Sequence, residues 1–78
     1  MSDASIEFDI ILEHATATER VSLAVKYIEQ VSPVLKKGRM FAHGARSVVL
    51  YKKEGEDYSY YFSPEMPEKM QERIKNAK

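Results

Sequence analysis

Cysteine is absent from this 78-residue chain, which excludes a disulfide scaffold and any zinc site built on thiolates. No apolar run approaches the roughly 18–20 residues that a membrane-spanning helix needs. Met1–Ser5 is too polar and acidic for a secretory signal. A cytoplasmic protein without a membrane partner is therefore expected. Excess charge of either sign is also missing, since 12 Lys+Arg balance 12 Asp+Glu, and this counts against an obligate polyanion binder. Disorder is excluded in turn, because 44% hydrophobic residues are enough to build a core.

The length allows one domain, residues 1–78, with 1–4 and 76–78 as its frayed ends. A chain of this size buries only about 60% of its unfolded surface. That leaves little room for a deep cleft, so neither enzymatic activity nor a cofactor is expected.

Ile6, Phe8, Ile10 and Leu12 alternate with Glu7, Asp9 and Ile11, the period of a half-buried strand with an acidic outer face. Thr16 and Glu19 then have the spacing of a capping box. A helix is predicted from Ala17 to Leu35, with Val21, Ala24, Val25, Ile28, Val31 and Leu35 on one face. Leu23, Tyr27 and Val34 form a second stripe beside it. Together the stripes cover more than half the circumference, wider than one sheet requires. Pro33 kinks or ends this helix near Ser32, and Gly38 stops it after Lys36 and Lys37.

Arg39–Arg46 reads as a loop or an irregular start to the next strand. Ser47–Lys52 is a strand, Lys53-Glu54-Gly55 a three-residue turn, and Asp57–Phe62 the returning strand. This register collects Val48, Leu50, Tyr58, Tyr60 and Phe62 on one face, taken as the core side. Val49, Tyr51, Ser59 and Tyr61 point the other way. Glu68–Ala77 forms a closing helix, with Met66, Met70 and Ile74 as its apolar stripe. The predicted fold is a small single-domain α+β structure, strand-helix-strand-strand-helix, with an antiparallel sheet packed against one long helix.

The balanced charge is segregated along the chain. Lys36, Lys37, Arg39, Arg46, Lys52 and Lys53 occupy a stretch from Gln30 to Lys53 that contains no acid, flanked on both sides by acidic blocks. Pairing of Glu7 and Asp9 with Arg46 or Lys52 across a sheet is the plain reading. A basic patch for phosphates is the sharper one.

No residue is nominated as catalytic or metal-ligating. Gly38–Gly44 has the wrong spacing, residue types and strand-helix order for a phosphate loop. His14 and His43 lack local ligand partners. A triad of His43, Ser47 and Asp57 has nothing in the sequence to fix its geometry.

The expected function is a small non-enzymatic protein-interaction module. It self-associates, in the simplest case as a homodimer, and regulates or inhibits a larger macromolecular partner, as phage-encoded and accessory factors do. Leu23, Tyr27, Val34, Val49, Tyr51 and Tyr61 are its partner-binding residues. The alternative is nucleic-acid binding by Lys36, Lys37, Arg39, Arg46, Lys52 and Lys53, with tyrosines of the sheet stacking on bases.

Overall fold

Alternation dictates the first element. In the computed structural model, which describes residues 4–12 and 17–77, strand β1 (Ser5–Ile11) buries Ile6, Phe8 and Ile10 and exposes Glu7 and Asp9. The expected capping box at Thr16, the histidine at position 14, and residues 1–3 and 78 lie outside the described residues; Asn76 and Ala77, expected to fray, instead belong to the last helix, where Ala77 packs on the core.

The helix predicted over Ala17–Leu35 is not formed. Its place is taken by strand β2 (Thr18–Ala24), a single 3-10 turn at Val25–Tyr27, and strand β3 (Ile28–Pro33). Thr18, Val21, Val25, Ile28 and Val31 are β-branched, stiff at χ1 and suited to a pleated surface. Antiparallel pairing with β1, from Ser5 opposite Ala24 to Ile11 opposite Thr18, then overrides the helical periodicity. Leu23 and Val25 point into the core. Pro33 ends a strand, not a helix. It pairs with Ser47 at the last position of β3, on a sheet edge where its missing N–H is tolerated.

The 3-10 turn is an elbow that carries the chain from one sheet to the other. β1 and β2 form a two-stranded sheet, while β3, β4 (Ser47–Tyr51) and β5 (Ser59–Ser63) form a three-stranded antiparallel meander. Just past the elbow the β3–β4 register shifts between Ile28 and Gln30, a bulge that strengthens local twist.

The segment Arg39–Arg46 is neither a loop nor irregular strand at its start. Helix α1 (Arg39–Ala42) makes one turn and ends in a Schellman motif. Ala45 N–H donates to the Met40 carbonyl (2.9 Å) and Gly44 N–H to the Phe41 carbonyl (3.0 Å). Gly44 supplies the positive φ, 100°, that this geometry requires.

The long helix that packs on the sheet is α2 (Pro67–Ala77), near the C-terminal end. Proline opens it, where its missing N–H costs nothing. Met70 is wholly buried, and Ile74 and Ala77 pack against the same core. Met66 lies just outside the helix and is half exposed, so the expected stripe is shortened at that end. Arg73 fastens α2 by donating to the Glu65 carboxylate (2.7 Å) and to the backbone carbonyl of Glu7. The class is thus α+β, with two antiparallel sheets and one long helix.

The main core joins Ile6, Phe8, Ile10, Leu23, Val25, Val49, Tyr51 and Met70. A satellite cluster of Ile11, Met40 and Ala45, with Val34 and Phe62 against it, lies around α1. Ile10 and Ile11 belong to different clusters because successive strand residues face opposite sides.

Candidate interaction surface

The β4–β5 hairpin places Val49 opposite Tyr61 and Leu50 opposite Tyr60. The predicted parity holds, but the connection is longer than three residues and runs from Lys52 to Tyr58. Gly55 takes φ 82° within it. The face turned inward is the reverse of the one expected. Val49 and Tyr51 are buried, as are Ser47 and Ser63 at the far end. Small residues are needed there because β1 runs beside β5. Tyr51 stacks edge-on with Tyr27 (6.0 Å) and Tyr61 (5.9 Å), and its hydroxyl accepts from Ala24 N–H (3.2 Å). One phenol therefore ties the two sheets together.

This relocates the expected partner-binding residues. Leu23, Val49 and Tyr51 are interior, and Tyr27 and Tyr61 are partly buried against the core. Their apolar surface is covered by the fold itself, so they offer no free face. Val34 alone of the six both packs on the satellite cluster and lines an open groove.

The outward face of the meander is the greasy one. Tyr60 is 65% exposed, Tyr58 53% and Leu35 81%. Val48, Leu50 and Phe62 between them are partly buried. At the Val48–Phe62 end the strip opens into an apolar groove of about 540 Å³, walled also by Pro33, Leu35 and Met40. Sequence reasoning assigned Val48, Leu50, Tyr60 and Phe62 to the core; the parity alone named this set, but not its direction.

The basic residues are divided between the two ends of the meander. Lys36, Lys37 and Arg39 are exposed in the β3–β4 connection, and Lys53 is exposed after β4. Lys52 lies 5.7 Å over the Tyr58 ring. Arg46 is structural, donating to the carbonyls of Phe41 (3.2 Å) and Ala45 (2.9 Å) with its guanidinium 4.1 Å over the Phe41 ring. Among the described residues none of these six cations forms an ion pair. Glu7 and Asp9 are answered instead by Arg20, at 3.7 and 3.5 Å, because Arg20 sits directly across the β1–β2 ladder from Asp9. The pairing expected with Arg46 or Lys52 is not made.

The remaining candidates do not converge. His43 is exposed at the end of α1, Ser47 is buried at the base of β4, and Asp57 is exposed at the hairpin tip, so no triad forms. Among the described residues no group of three or more His, Cys, Asp or Glu is placed to hold a metal ion. No helix among them is long and apolar enough to cross a membrane. A second cleft of about 400 Å³ lies between Asp9, Arg20, Glu65, Lys69 and Arg73. There Arg20 and Arg73 are already engaged by Asp9 and Glu65.

No known protein family, curated protein or solved structure matches this chain.

Proposed function

We propose that this chain is a non-enzymatic protein-interaction module that regulates a larger partner by occupying a surface on it. Its contact face is the outer side of the β3–β4–β5 meander. The carrying observation is the exposure of Tyr60 and Leu35 on either side of the Val48–Phe62 groove. A contiguous apolar patch is uncommon on a free monomer. Tyrosine anchors at the centre of such a patch carry much of the energy in protein interfaces.

The test compares wild-type, Tyr60→Ala and Leu35→Asp proteins as immobilised baits in nuclease-treated lysate of the source cell, followed by reconstitution with the purified prey. Both positions are exposed, so the fold survives. The expected result is one prey held by wild type and lost by both variants. A prey retained by both, or released by the nuclease, refutes the reading.

A second reading has its own observation. Arg39 lines the groove at one end of the outer strip, with exposed Lys36 and Lys37 in the same connection, and Lys52 lies over Tyr58 at the other end with exposed Tyr60 between; cations beside aromatic faces are the combination that holds single-stranded nucleic acid. It predicts binding of a labelled single-stranded oligonucleotide with a log–log salt slope of about −0.7 per phosphate contacted. No binding at low salt ends it.

A further inference from the structure

We infer that what the Val48–Phe62 groove takes from its partner is a short acidic peptide segment, in which large apolar side chains enter the groove and carboxylates stand beside them. The inference rests on the interaction-surface reading above and adds the chemistry of the segment that the surface holds. Its support is the contrast between the lining of the groove and its rim.

The lining is apolar, from Pro33, Val34, Met40, Val48 and Phe62. Its volume of about 540 Å³ lies in the range of sites that hold small ligands. The groove is open, however, and a free lipid tail laid in it would keep much of its surface in water. A peptide side chain is covered by the rest of its own chain, as in other groove-bound segments. Apart from Arg39 the lining has no polar side chain to read a base edge, and only Phe62 to stack on one.

The rim is cationic. Gly38 N–H donates to the Leu35 carbonyl (3.0 Å), closing a β-turn whose two ends both line the groove. Lys36 and Lys37 are the corners of that turn, and both are exposed. Arg39 follows directly and is the one charged residue among the described residues that lines the groove. None of the three makes an ion pair among the described residues. Their own segment supplies no answer, because no Asp or Glu stands between Gln30 and Lys53. A carboxylate placed at this rim meets cations that stay hydrated and a guanidinium fork that fits it. A lysine or arginine placed there meets like charge, which sets specificity more than raw affinity.

The test is selection of a random peptide library, displayed on phage, against the immobilised full chain at low salt. The expected peptides carry Leu, Ile, Phe or Met beside Asp or Glu. Synthesised with a fluorescein label, they bind at least roughly tenfold more weakly to Lys36→Glu/Lys37→Glu/Arg39→Glu than to wild type. All three positions are exposed, and a far-UV circular dichroism melt matching wild type verifies the fold. Replacing the acids of the selected peptides with lysine weakens binding to wild type to a similar degree, an arm that needs no protein variant. Selection on the charge-reversed protein yields Lys or Arg beside the same apolar residues.

A library that gives no enriched peptide overturns the inference. So do enriched peptides without acids, or acidic peptides that bind the charge-reversed protein as tightly as wild type. If a lysate prey is lost by Tyr60→Ala and Leu35→Asp yet kept by the charge-reversed protein, the acidic segment is wrong and the interaction surface stands.

Discussion

Tyr51 and Tyr60 lie one cross-strand step apart on the same hairpin, yet the fold turns them to opposite sides. Replacing each with alanine therefore tests which face is inside. Tyr51 is 5% exposed, touches two further tyrosines and receives the Ala24 N–H. Truncating a buried aromatic of this kind costs about 3–5 kcal/mol. A 78-residue domain has about 4–12 kcal/mol of stability in total, so Tyr51→Ala sits at the margin of folding. Tyr51→Phe provides a measurable companion. It keeps the ring and removes only the acceptor for Ala24, a loss of about 1 kcal/mol, or roughly 4–8 °C in Tm for a chain of this size. Tyr60 is 65% exposed and sits across the ladder from Leu50, so Tyr60→Ala costs under about 1 kcal/mol. Urea titration followed by far-UV circular dichroism measures all three. Equal losses for the two alanine variants, or a larger loss at Tyr60, would falsify the inward assignment of the Val49–Tyr51 face. The surface proposed for binding would fall with it.

Two further variants probe other parts of the fold. Gly44→Ala places a Cβ in ordinary van der Waals contact with Ile11 Cδ1 at 3.9 Å, without a clash, but at φ 100°; the left-handed penalty of about 1–2 kcal/mol is expected in a thermal melt, and an unchanged Tm contradicts the Schellman assignment. Met70→Ala empties the wholly buried contact of α2 and should cost about 2–5 kcal/mol in chemical denaturation, whereas Met66→Ala, outside the helix and half exposed, should stay within about 0.5 kcal/mol.

Much of this architecture was legible from residue order. β1 follows from its alternation, the β4–β5 pairing from apolar runs around Gly55, and α2 from Met70 and Ile74 at helical spacing. The segment after position 17 misleads because two templates fit it. Val21, Ala24, Val25 and Ile28 recur as on a helix, while Val21, Leu23, Val25 and Tyr27 recur as on a strand. What decides is the tertiary pairing with β1 and the run of β-branched residues, neither of which periodicity weighs. The candidate site was missed for a related reason. Counting apolar residues puts the richer face of the hairpin inside, and here the inner face carries serines at positions 47 and 63 while the outer face carries Leu50, Tyr60 and Phe62. Hydrophobicity alone does not distinguish a core from a contact surface. The basic residues were named one by one, but only packing reveals that Arg46 belongs to the α1 turn while Lys36, Lys37 and Arg39 make no ion pair among the described residues.

The elbow at Val25–Tyr27 has a mechanical consequence. Because one uninterrupted ribbon supplies a strand to each sheet, with Val25 N–H held by the Ala4 carbonyl on one side and Lys52 N–H by the Tyr27 carbonyl on the other, neither sheet can peel away without dragging its neighbour. Amide protons of Ile6–Ile10 and of Val48–Leu50 should then exchange through a shared opening event, melting as one foldon and not two.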